Sequence, residues 1–194
     1  MSTTAADDGR VRCGWVPTDS SPNGVLYRDY HDTEWGKQLR GTVPLFERVS
    51  LEAFQSGLSW LTILRKRDGF RRAFKGFDIE KVARFTDRDI AALMEDTAIV
   101  RNRAKIEATI NNARAIADLD VDFSDLLWSF APPRRSRPAA MSDVPAVTAE
   151  STAMAKELKR RGLRFVGPTT AYALMQATGM VDDHIATCWV PAPA

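Results

Sequence analysis

KELKRRGLRFVGPTTAYALMQATG, residues Lys156 to Gly179, reads as helix, short turn, helix. The first helix is expected over Thr148 to Arg161. Gly162 stops it, because glycine accepts the left-handed conformation in which helices commonly end. Leu163 to Gly167 form the turn. Pro168 suits a first helical position, so the second helix is expected from Pro168 to Thr178, closing at Gly179. Its first N–H groups and its dipole make an anion site, here at Thr169 and Thr170. Gly167 lets the backbone come close to a ligand. With Lys159, Arg160 and Arg164 nearby, the hairpin suits a DNA phosphate, a contact that grips a duplex without reading its sequence. A plain helical hairpin packed in a core fits the same residues.

Outward from the hairpin the chain remains helical. Leu45, Val49, Leu58 and Leu61 recur at helical spacing from Pro44 to about Lys66, with a break expected near Gly57. Short helices are expected over Asp78 to Arg84, Thr86 to Asp96 and Asp122 to Phe130, each opened by a capping residue. A longer one is expected over Arg101 to Leu119. Four prolines and three arginines between Ala131 and Pro145 read as a connection. No run of alternating strands is visible, so the fold class is all-α.

A chain of 194 residues, 44% hydrophobic, fits one domain with a sizeable core. We expect that domain over 11–194, after a disordered leader over 1–10 (MSTTAADDGR), which lacks the apolar centre of a secretory signal. No stretch is long and apolar enough to span a bilayer. A cytoplasmic monomer is the expectation. Net charge is only +2, which neither demands nor excludes nucleic acid. Basic residues nevertheless cluster, at Arg65 to Arg72, Arg134 to Arg137 and Lys156 to Arg164, as phosphate contacts require and as solvated faces also do.

The two cysteines are Cys13 and Cys188; the two histidines are His31 and His184. His184 and Cys188 are four apart and would share one face of a helix. Two thiolates and two imidazoles suit tetrahedral zinc, and four protein ligands would leave no open position for catalysis. Such an ion would clasp the N- and C-terminal segments and contribute to folding. A disulfide, free buried thiols and ordinary histidines fit the same residues.

Trp15, Tyr27, Tyr30 and Trp35 crowd the first forty residues, with Trp60 further on. Trp15 and Tyr30 sit beside candidate metal ligands, which would fix their rings. Glu52 lies between Leu51 and Ala53 in an apolar helix, where an unpaired carboxylate is costly. A carboxylate among aromatic faces favours a flat cation, and an alkylated purine is one. Core packing for the rings and a solvent-facing Glu52 are the alternatives.

RCGWV (Arg12 to Val16), YHDTEWG (Tyr30 to Gly36), LEAFQSGLSW (Leu51 to Trp60), RNRAKIEATINNA (Arg101 to Ala113), WSF (Trp128 to Phe130), the hairpin from Leu158 to Gly179 and VDDH (Val181 to His184) together resemble the 3-methyladenine DNA glycosylase I family, in the family's order. The resemblance implies a helix-hairpin-helix glycosylase fold with a structural zinc on Cys13, His31, His184 and Cys188. It implies a pocket of Glu52, Tyr30, Trp60 and Trp15 for a flipped base, with Tyr27 of the same aromatic cluster expected beside them. It matches Gly57 and Leu58 to a loop that enters alkylated DNA, and Gly167 to Thr170 to the backbone-gripping hairpin. The activity implied is hydrolysis of the N-glycosidic bond of 3-methyladenine, leaving an abasic site, with Glu52 as the catalytic carboxylate. The family often has Gly-Gln after that glutamate, whereas this chain has Ala53-Phe54, a change that would act on the pocket floor or mark a subgroup. Asp182 stands where related hairpin glycosylases carry a catalytic Asp, but an N-cap beside a metal ligand is its expected role. A non-catalytic module that binds alkylated DNA is the competing class. A zinc hydrolase is disfavoured by the closed ligand set.

Overall fold

A computed structural model describes residues 8–192, and most of its α-helices begin where a side chain can take up free backbone N–H groups, those starting at Thr42 and Pro168 following a glycine instead. Ser21 caps α1 (Pro22–Thr33), accepting from the Gly24 N–H, with Pro22 at the start. α2 (Thr42–Gln55) buries Leu45, Phe46, Val49, Leu51 and Phe54 and is the central element. Ser59 caps α3 (Trp60–Ala73). Asp78 caps α4 (Ile79–Ala83), and Thr86 with Asp89 forms a capping box on α5 (Asp87–Glu95). Asn102 caps α6 (Arg103–Ala117), Asp122 caps α7 (Phe123–Trp128) and Thr148 caps α8 (Ala149–Arg160). α9 (Pro168–Ala177) follows Gly167. Two short 3-10 turns, Lys75–Phe77 and Met141–Asp143, complete the regular structure, with no strand among the described residues.

α2 packs against α3, α6, α7 and α9, and α8 folds back on α9 as a hairpin. Phe54, Phe70, Phe74, Phe77 and Phe85 form a continuous aromatic seam with ring centroids 4.6–6.4 Å apart. At the end of α2, the Lys105 ammonium, 8% exposed, reaches from α6 and donates to the carbonyls of Phe54 (2.9 Å) and Ser56 (2.5 Å). It satisfies helix-end carbonyls that would otherwise be orphaned. Lys105→Met is expected to cost about 2 kcal/mol in denaturant unfolding, from carbonyls left without a donor.

Several boundaries differ from the sequence expectation. The helix expected from Pro44 begins at Thr42, and Pro44 occupies its third position. The break expected at Gly57 is present, with Gly57 at φ 80°, but α3 runs on to Ala73. α1 has no counterpart in the expectation. Gly162, at φ 88°, ends α8 as expected. His184 and Cys188 lie on a turn, closed by the Cys188 N–H to Ile185 carbonyl bond (2.8 Å), and not on a helix. The segments around Val11 and Trp189 lie side by side: the Trp189 N–H donates to the Val11 carbonyl over 2.9 Å. Of the leader expected over 1–10, residues 1–7 lie outside the described residues. Asp8 pairs with Arg12 at 2.7 Å, and the Arg10 guanidinium lies 3.9 Å from the Trp189 ring.

Candidate active site and metal-ligand cluster

α1 brings Tyr27 and Tyr30 to a cavity of about 200 Å³, α2 brings Glu52 and Gln55, and α3 opens on Trp60. Trp15 and Trp35 come from connecting segments, Met141 from the 3-10 turn Met141–Asp143, and Ala173 and Gln176 from α9. The structure thus gathers the expected Trp15, Tyr27, Tyr30, Glu52 and Trp60 around one space. Sequence reasoning misses Trp35 as a lining residue, along with Gln55, Met141, Ala173 and Gln176. Trp35 carries a readable signal, its place in YHDTEWG beside the other aromatics; the 173 and 176 positions are only a face of an apolar helix.

Glu52 is 5% exposed, so it does not face solvent. Burial pushes its carboxyl up to about 7, while the Arg48 guanidinium one turn earlier on α2 pulls the other way. No hydrogen bond supports the carboxylate from the described residues. Burial also pushes the Tyr30 phenol up, so it keeps its proton. Tyr30 and Trp60 rings lie 5.3 Å apart, and the buried Trp60 indole N–H has no acceptor among the described residues. The result is a small aromatic box with one unsupported acid and unused N–H and O–H donors. Ala53 and Phe54 do not line it; Phe54 packs on Phe70 at 4.6 Å in the core.

Behind the box, the donor atoms of Cys13, His31, His184 and Cys188 all lie within 4.8 Å of one another, and all four residues are buried. Cys188 Sγ is 3.6 Å from His31 Nε2 and 3.5 Å from His184 Nδ1, and Cys13 Sγ is 3.6 Å from His184 Nδ1. A tetrahedral ion with bonds of about 2.3 Å to sulfur and about 2.0 Å to nitrogen sets S···N edges of about 3.5 Å. The second ring nitrogens face outward: His31 Nδ1 to Asp32 Oδ1 at 2.7 Å, and His184 Nε2 to the Trp35 carbonyl at 3.2 Å. Those contacts assign each ring's proton to the outside and turn its lone pair inward. Cys13, with the two histidines, holds the Cys188 thiol low, and the same proximity together with burial pushes Cys13 up. These residues fit a metal ion. Gly36, at φ 76°, is tied to this cluster: a Cβ there would sit 2.9 Å from His184 Nε2.

The cluster and the box share walls. Trp15 meets His31 and Trp35 edge-on at 5.2 and 5.1 Å, and Trp35 meets His184 at 4.7 Å. Asp182 faces neither. It pairs with Arg137 at 2.7 Å and receives a long 3.4 Å contact from the His184 N–H; no helix begins there to be capped. Asp183 is the buried acid, holding Tyr172, Gln176 and Arg135.

The loop between Gln55 and Trp60 stands at the rim of the box. Leu58 there is 41% exposed, and nothing lies within 4 Å of a Cβ built on Gly57. Gly167 has φ −81°, so no left-handed strain requires it, and the space around it is open. Thr169 is exposed and Thr170 half-buried at the start of α9. Much of the basic charge is paired: Arg67 with Glu34, Arg71 with Glu47, Arg160 and Arg161 with Glu157. No helix among the described residues is long and apolar enough to cross a membrane.

Residues 20–191 match the model of a family described as methyladenine glycosylase. A DNA-3-methyladenine glycosylase from Haemophilus influenzae is 44% identical over 183 residues, covering 92% of this chain and 96% of that protein. A crystal structure of a 3-methyladenine DNA glycosylase I superposes with a TM-score of 0.87 at 41% identity, covering 93% of this chain and 100% of the other. A variant of such an enzyme, crystallised in complex with 3-methyladenine, superposes with a TM-score of 0.85 at 35% identity, covering 94% and 99%.

Proposed function

The chain belongs to the methyladenine glycosylase family, and from that premise we infer that it is a DNA repair enzyme that hydrolyses the N-glycosidic bond of 3-methyladenine in alkylated DNA. The observation that carries the reading to this chain's own residues is the buried Glu52 carboxylate, without a hydrogen-bond donor, in an aromatic box.

The target bond is hidden in a duplex, so the nucleotide has to be extruded. The exposed Leu58, carried past Gly57, suits a side chain that fills the gap left in the stack. The helix-hairpin-helix of α8 and α9 offers the N–H groups of Thr169 and Thr170, and the open backbone at Gly167, to a phosphate. In the box, Trp60, Trp15 and Tyr27 supply ring faces, and Tyr30 a polar contact. N3-alkylation leaves the purine positively charged. Glu52 complements that charge and accepts an N–H of the base. When the C1′–N9 bond breaks, its electron pair neutralises the ring; water supplies the new bond at C1′ and releases a proton. A strong general acid is therefore unnecessary.

No lysine lines the cavity among the described residues, which supports a hydrolysis without a covalent imine. Methylated duplex DNA treated with this protein is expected to gain alkali-labile sites and to show no strand breaks before alkali. Breaks in untreated samples would contradict the monofunctional reading. Leu58→Ala is expected to lower the rate on duplex DNA by roughly tenfold, the effect of losing about 1.4 kcal/mol of help in base extrusion, and to spare binding of the free base.

The Cys13, His31, His184 and Cys188 cluster holds zinc in this reading. The ion ties the chain ends together, and no step of the chemistry passes through it. The protein works as a monomer, in the cytoplasm expected from its sequence.

A further inference from the structure

Arg48 does not line the cavity, yet it touches groups that do. It stands one turn before Glu52 on α2 and is 8% exposed. Its guanidinium lies 5.4 Å from the Tyr30 ring centroid and 5.6 Å from that of Trp60. Nη1 donates to the Tyr30 hydroxyl oxygen over 3.0 Å. Nη2 lies 3.5 Å from Glu34 Oε2. Glu34 is itself gripped by Arg67 through bonds of 2.6 and 2.8 Å, so the guanidinium is held at both ends.

A phenol has one proton to give, and its oxygen accepts. A permanently charged N–H aimed at that oxygen settles which role faces which way: guanidinium has no acceptor, so the Tyr30 proton must turn from Arg48. Among the described residues nothing accepts that proton, and Tyr30 borders the cavity. Arg48 is also the cation that draws Glu52 toward its ionised, accepting form. One side chain behind the wall therefore orients the Tyr30 hydroxyl through a direct hydrogen bond and, from one turn away on the same helix, favours the accepting form of Glu52 against the opposing effect of burial.

We propose that Arg48 is a positioning residue that makes Tyr30 a donor and Glu52 an acceptor toward the flipped base, and thereby selects adenine-type over guanine-type lesions. This rests on the glycosylase reading. Adenine presents an acceptor, N7, beside a donor, the N6 amine; guanine presents two acceptors, N7 and O6. A fixed donor–acceptor pair satisfies the first edge and sets a carboxylate against O6 in the second. A mismatch of this kind is rejected strongly, because a buried polar group is left unpaired. Without Arg48 the Tyr30 hydroxyl is free to turn and Glu52 to hold its proton, and the sense of the pair is lost.

The test compares wild type, Arg48→Met and Arg48→Lys on duplex DNA methylated by a simple alkylating agent, with chromatography of released 3-methyladenine and 3-methylguanine. Tryptophan fluorescence gives the affinity for free 3-methyladenine. Arg48→Met is expected to bind free 3-methyladenine about tenfold more weakly, and to narrow the ratio of 3-methyladenine to 3-methylguanine release by a similar factor. Arg48→Lys, which restores a cationic donor, is expected to recover the ratio to within about threefold, short of complete because an ammonium lacks the guanidinium's fixed fork. On a Tyr30→Phe background, Arg48→Met is expected to add little. If Arg48→Met does not fold, Arg48→Gln carries the same comparison. Equal loss on both bases, or an unchanged ratio and affinity, would overturn the assignment while leaving the enzyme reading intact. Wild type that releases no base would remove both.

Discussion

Glu52→Gln is expected to lower 3-methyladenine excision by about 100- to 1000-fold, the scale on which a preorganised electrostatic partner of the reacting group acts, and to make the protein more stable at alkaline pH. The opposed signs have one cause. The carboxyl is buried, and the one influence opposing burial is Arg48, so its proton is held up to about 7 against an ordinary 4.5. The folded state then binds that proton more tightly than the unfolded state. Folding stability accordingly falls as pH rises from about 5 through 7, and by pH 8 the cost reaches roughly 3 kcal/mol. A glutamine amide at this position has no charge to bury, so the variant escapes most of that cost. Thermal melts should coincide near pH 5 and separate at pH 8, with the variant melting roughly 5–10 °C higher. Catalysis runs the other way. The ionised carboxylate is the useful form, so wild-type kcat/KM should rise with pH through about 7, and the residual activity of Glu52→Gln should lack that limb. Equal melting temperatures at pH 8, or an unchanged excision rate, would mean that Glu52 does not carry the charge assigned to it.

The second large effect lies at the metal-ligand cluster. Cys188→Ser removes a sulfur that stands 3.5–3.6 Å from both histidines, in a cluster joining residues 13 and 31 to 184 and 188. Structural zinc supplies about 10–16 kcal/mol to small zinc domains. Loss of one ligand here is expected to cost roughly 4 kcal/mol or more, less than the whole because the helical core remains. Metal analysis should find one zinc per chain in wild type and well under one in the variant, with the melting temperature of wild type falling toward the variant's on chelation. The effect should reach the active site indirectly, because Trp15 and Trp35 pack on His31 and His184. Loosened rings would raise KM for alkylated DNA more than they lower kcat. Wild type that carries no metal and ignores chelators would refute the clasp.

Much of this architecture is legible in the sequence because its signals are local. Thr86 with Asp89, Asp122, Thr148 and Gly162 each mark a helix end through a bond made within a few residues, and those boundaries match closely. α1 escapes sequence reasoning even though Ser21 and Pro22 mark its start: its short run mixes Arg28, Asp29 and Asp32 among the apolar positions, so the pattern of a buried face is weak. The four-residue spacing of His184 and Cys188 reads as helical, but a turn closed on Ile185 brings the same two atoms together. Spacing constrains which atoms meet, not the backbone that delivers them. Glu52 is visible as an anomaly, a charge in an apolar helix. Arg48 in the same helix is not, because a lone arginine also reads as a long stem reaching solvent; its burial depends on Tyr30, Glu34 and Arg67, which come from other elements.

The most direct measurement is chromatography of the bases released from methylated duplex DNA by wild type and Glu52→Gln side by side. Free 3-methyladenine from wild type, with release reduced about 100-fold or more by the substitution, is the predicted result. Tight binding of the methylated duplex with no base released would contradict it, leaving a module that recognises lesions without cutting them.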